Sequence, residues 1–86
     1  MRIYQVTFKE TIHWEPPALA PGEIRGILNT PTDTPRQEMR YIGVDGGVLE
    51  AHAKALASIA ARTWDTPGTS AKDVEIISIA LHMEAE

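Results

Sequence analysis

The sequence predicts an α+β fold: a single compact domain over residues 1–86, with a three- to four-stranded, mostly antiparallel sheet and one Ala-rich helix packed on one face, in the order β-β-β-α-β. Three observations carry this. Polar and apolar residues alternate from Arg2 to Trp14, as a strand with one wet face requires. Six alanines, and no glycine or proline, fall between Val48 and Trp64. β-Branched residues crowd the stretch from Val74 to Met83.

In the first strand Tyr4, Val6, Phe8, Ile12 and Trp14 point one way, and Gln5, Thr7, Lys9, Thr11 and His13 the other. Glu10 falls on the apolar side. Thirteen extended residues span about 40 Å, against a radius of gyration near 12 Å for a compact chain of this size. The strand is therefore expected to bend, to bulge near Lys9–Thr11, or to overhang the core at Trp14. Pro16, Pro17, Pro21 and Gly22 mark a turn. Residues 23–29 read as a short strand or a single helical turn, and strand is preferred. Thr30–Gln37, with two prolines, three threonines and no large apolar residue, reads as a mobile surface loop, and Met39–Val44 as a return to extended chain.

The segment Gly43-Val44-Asp45-Gly46-Gly47 lacks the Lys and Ser/Thr of a phosphate loop, so it reads as a strand-to-helix turn with Asp45 near the cap. The helix is expected over 48–64, burying Leu49, Ala53, Leu56, Ile59, Ala60 and Trp64, with Glu50, Lys54 and Ser58 outward. Asp65-Thr66-Pro67-Gly68 stops it. A turn at Thr69–Lys72 leads into a strand over Val74–Met83, with Ile77, Ile79, Leu81 and Met83 on one face and Val74, Ile76 and Ala80 on the other. Apolar on both sides, this strand is expected to be central. Residues 84–86 should fray.

Twelve acids against eight bases give a net charge of -4. The excess is C-terminal: residues 1–44 carry five of each, and residues 45–86 carry three bases and seven acids. A nucleic-acid binder draws its affinity from surplus Lys and Arg, so direct binding of DNA or RNA is disfavoured. The absence of cysteine removes disulfides and thiolate chemistry, and the alternating start provides neither a signal peptide nor a membrane span. A cytoplasmic location is expected.

No catalytic constellation is legible. Ser58, Ser70 and Ser78 stand outside any nucleophile elbow, and the acid pairs Asp73/Glu75 and Glu84/Glu86 lie at turns or ends. His13, His52 and His82 lack the close spacing that shares a metal, so no cofactor and no metal are expected. What remains is surface. Trp14, at the end of an overhanging strand, is a candidate partner anchor.

In size, charge and strand-helix-strand build, the acidic segment Asp45–Glu86 with its single Ala-rich helix resembles the small phage-encoded inhibitors of host defence, the anti-CRISPR proteins. The resemblance implies a small acidic protein-interaction module that blocks a CRISPR effector complex. It would do so sterically, or with Asp65, Asp73, Glu75, Glu84 and Glu86 standing in for phosphates; net -4 favours occlusion. The alternatives are a homodimeric ferredoxin-like domain that holds a small ligand between sheet and helix, with His13, His82 and Tyr41 as its polar groups, and a structural assembly subunit.

Overall fold

Strand β1 (Arg2–Trp14) keeps the alternation read from the sequence, and Tyr4, Val6, Phe8 and Glu10 are buried along one face. A computed structural model describes residues 1–18, 22 and 30–84. Residues 23–29, read as a strand, and Glu86 lie outside the described residues.

β2 (Thr32–Val44) pairs antiparallel with β1 through thirteen registered positions, from Arg2↔Val44 to Trp14↔Thr32. The surface loop expected at Thr30–Gln37 is therefore largely strand. Its composition misleads because β2 is an edge strand: one side of its backbone needs no ladder partner, which accommodates Pro35.

β3 (Thr69–Glu84) pairs antiparallel with the opposite edge of β1, giving the order β2-β1-β3. This corrects two expectations. Thr69–Lys72 is strand rather than turn, and β3 is an edge while β1 is central. β3 has sixteen residues against the thirteen of β1, and three register shifts, at Ile3/Tyr4, Thr7/Phe8 and Lys9/Thr11, absorb the difference. The bulge expected near Lys9–Thr11 thus exists, with the extra residue on the partner strand. There Asp73 takes φ 54°, a left-handed conformation that aspartate tolerates better than most side chains. Each bulge shifts the side-chain phase of β3 by one. As a result Ile76 and Ile79 both pack on the core while Ile77 and Met83 are displaced from it, and Leu81, opposite Tyr4, keeps the core phase but is exposed; this revises the faces read from simple alternation.

Helix α1 (Val48–Ala60) follows Gly47, which caps it without a side-chain bond, with Asp45 two residues before the cap. Glu50 in the first turn supplies the favourable negative charge. The helix stops four residues short of Trp64. The Ala61 N–H bonds Ala57 O and the Arg62 N–H reaches Ile59 O, tightening the end before the chain turns toward the sheet.

The buried helix face is Ala51, Ala55 and Ile59, not the face centred on Leu56. Alanines at i and i+4 of this face let the helix axis approach Tyr4, Val6, Ile42 and Val44, which a Leu stripe would hold away. Two tethers fix the rotation toward β2: Lys54 Nζ donates to Gly43 O at 2.6 Å, and Arg40 Nη1 to Ser58 Oγ at 3.3 Å. β2 and β3 run parallel to each other with β1 between them, and α1 makes that crossover. Long strands give an elongated body of 62 × 18 × 16 Å with a radius of gyration of 17.4 Å, well beyond the compact expectation.

At the far end, the Glu15 N–H bonds Gly68 O at 2.9 Å, closing the approach to β3. Gly68 has φ +83°, and a Cβ there would collide with the Glu15 carbonyl. Gly68→Ala should therefore lower stability by more than about 1 kcal/mol, a loss that a urea melt would register.

Candidate interaction surface

Because α1 covers one face, residues of opposite phase stand on a face left bare by the described residues. The strand register lays them out in rows: Gly43, Ile3 and Met83; Tyr41, Gln5 and Ala80; Met39, Thr7 and Ser78; Gln37, Lys9 and Glu75; Asp33, His13 and Ser70. The first three rows are mostly apolar. Met1, Met39, Tyr41 and Met83 are 44 to 58% exposed, and the Met1 side chain lies over Gly43. Tyr41 also meets His82, with ring centroids 4.8 Å apart.

The other end of this face is charged and internally paired. Lys9 Nζ lies 3.1 Å from Glu75 and Lys72 Nζ 3.0 Å from Asp33. His13 sits between two carboxylates, Nδ1 at 2.6 Å from Asp33 and Nε2 at 2.9 Å from Glu15. The hydrogen bond to Asp33, reinforced by that to Glu15, raises the His13 pKa above its usual 6.5. The bond from His13, with that from Lys72, holds Asp33 below the ordinary carboxylate value. The two acids flank opposite nitrogens of one ring, so they cannot join it around a single cation. Among the described residues no group of three or more His, Cys, Asp or Glu is arranged to hold a metal ion.

Among the described residues, the buried charge cluster lies on the helix-covered face. Glu10, with its side chain fully enclosed, accepts from Arg36 Nε at 2.8 Å and from both Nη atoms of Arg62, at 3.0 and 2.6 Å. Arg36 stands opposite Glu10 in the β-ladder, while Arg62 arrives from beyond the helix and stacks 4.3 Å from the Trp64 ring centre. Burial pushes the Glu10 carboxyl up, but the hydrogen bonds from Arg62 and Arg36 outweigh it and the net shift is downward. This is an anchor for the far half of the sheet. Beside it, a cavity of about 540 Å³ is walled by Leu56, Ile59, Trp64 and Val74.

The residues singled out in the sequence are not brought together. Trp14 is half-buried at the end of β1, against a cavity of about 640 Å³ formed with Pro16, Pro17 and Pro67. Asp65 is exposed past the helix, Asp73 and Glu75 lie on β3, and Glu84 pairs with Arg2 at 2.9 Å. Asp73 and Glu84 are eleven strand residues apart, roughly 35 Å. Tyr41 and His82 do meet, but on the bare face rather than between sheet and helix, and His13 lies at the opposite end. Sequence reasoning missed Met1, Met39 and Met83 as surface. The available signal was the alternation of Met39 and Tyr41 against Ile42 and Val44.

An α+β domain with a half-covered antiparallel sheet is the class that fold and surface define. Compared with protein families, curated proteins and solved structures, the chain matches none. No described helix is long and apolar enough to cross a membrane.

Proposed function

We propose that the chain is a protein-interaction module that grips a partner protein with the bare face of its sheet. One observation carries the reading: Met39, Tyr41 and Met83, with the Met1 side chain over Gly43, are exposed around Ile3 on a face that no described helix or strand covers. The largest contiguous apolar patch on a small protein often serves as a contact site. Methionine adapts its shape to a partner, and tyrosine is a favoured anchor.

The narrower proposal, drawn from the resemblance to phage inhibitors, is that the partner is a host nuclease complex and that the module blocks it by occupying its surface. The scatter of Asp65, Asp73, Glu75 and Glu84, two of them neutralised by Lys9 and Arg2, supports occlusion over mimicry of a phosphate backbone.

The test is affinity capture from host lysate with wild type, followed by titration of the captured protein against variants. Met39→Glu and Tyr41→Ala should each weaken binding at least tenfold, because a central anchor contributes about 1.4 kcal/mol or more. Leu49→Glu, on the exposed side of the helix, should bind normally. Equal binding by all three variants would discard the bare face as the contact surface, and sedimentation of the free protein would show whether the partner is a second copy.

A further inference from the structure

We propose that His13 is a pH-operated latch at the end of the sheet: its doubly protonated ring clasps Glu15 and Asp33 together, and loss of one proton frees Glu15. The geometry leaves little choice. The ring nitrogens face two carboxylates, at 2.6 and 2.9 Å, and only an imidazolium can donate to both. A neutral ring would turn a lone pair toward one carboxylate oxygen.

The acid that leaves is Glu15. Asp33 makes the shorter contact and is also held by Lys72 Nζ at 3.0 Å, so the remaining N–H stays with it. The charged groups placed against His13 by the described elements are thus Glu15 after β1, Asp33 of β2 and Lys72 of β3. Glu15 is tied at its backbone to Gly68 and, with Pro16, Pro17, Thr66 and Pro67, walls the cavity at Trp14. Releasing its side chain leaves that wall held by the Glu15–Gly68 bond. The latch acts on this end of the molecule, remote from the Met39–Tyr41 patch.

The sign follows from the direction of each shift. His13, raised above 6.5, stabilises the closed form below that pH and ceases to do so as pH rises through its higher folded value. Asp33, lowered below 3.8, contributes above that pH and is lost as pH falls through its folded value. The latch is fully closed from pH 3.8 to 6.5, and it opens only beyond those limits, as each group passes its shifted folded value.

The experiment is a pH titration by NMR, following the imidazole nitrogens and the Glu15 and Gly68 amides in wild type, Glu15→Gln and Asp33→Asn. In wild type His13 should titrate above the ordinary imidazole value of 6.5, the Glu15 and Gly68 amides should shift with the same midpoint, and the protection of the Glu15 amide, which donates to Gly68 O, should fall several-fold above it once intrinsic exchange is divided out. Asp33→Asn should lower the His13 midpoint, and Glu15→Gln should uncouple the amides from it. The latch is overturned if His13 titrates at or below the ordinary imidazole value of 6.5, or if it titrates late while the Glu15 and Gly68 amides stay still.

Discussion

Ala55→Asp is expected to unfold the protein, while the same charge one residue later, in Leu56→Asp, should leave it folded. Ala55 is completely buried against the sheet, and Leu56 is 38% exposed. An unpaired carboxylate at Ala55 would have to be dehydrated among Tyr4, Val6, Ile42 and Val44. That costs several kcal/mol against a total stability of about 5 to 15. At Leu56 the carboxylate reaches water, and the loss is confined to some apolar contact with the neighbouring cavity, about 1 to 2 kcal/mol. Circular dichroism with a urea melt separates the two. A folded Ala55→Asp beside an unfolded Leu56→Asp would mean that the helix is rotated toward its leucine face.

Glu10→Ala is expected to cost about 3 kcal/mol, because it strands Arg62, only 12% exposed, without its counter-charge. Arg36 is more than a third exposed and recovers solvent, so most of the loss belongs to Arg62. Removing both partners is a different matter. Glu10→Met with Arg62→Met should regain much of the loss, since the desolvation of both charges disappears together. The Glu10 carboxyl sits below its ordinary value, so its contribution is present above pH 4.5 and fades as pH falls through the folded value. Glu10→Gln should accordingly flatten the acid limb of the stability profile. A Glu10→Ala protein within 0.5 kcal/mol of wild type in chemical denaturation would reduce the cluster to a surface ornament.

The same two sites mark how far the sequence could be read. Glu10 was legible as the one break in the alternation of β1, but its partners were not. Arg36 lay in a stretch whose prolines and threonines read as loop, and Arg62 in a stretch that read as helix. No glycine or proline stands between Gly47 and Pro67, so nothing local ends α1 at Ala60. Just past that end, Arg62 turns to the buried Glu10 carboxylate. The apolar patch was half legible: Tyr41 drew notice as a polar group, whereas Met1, Met39 and Met83 carried no signal apart from the face they occupy.

By itself the sequence determined the period of β1, the start of α1 after Gly47, the extended character of the β3 region and the absence of a cysteine framework, because these depend on neighbours a few residues apart. Strand order, the rotation of the helix and the phase of β3 were decided only in the tertiary structure. Alanine and leucine both favour a helix, so its packed face is chosen by how closely it can approach the sheet, and three bulges in β3 move side chains between faces without changing its composition.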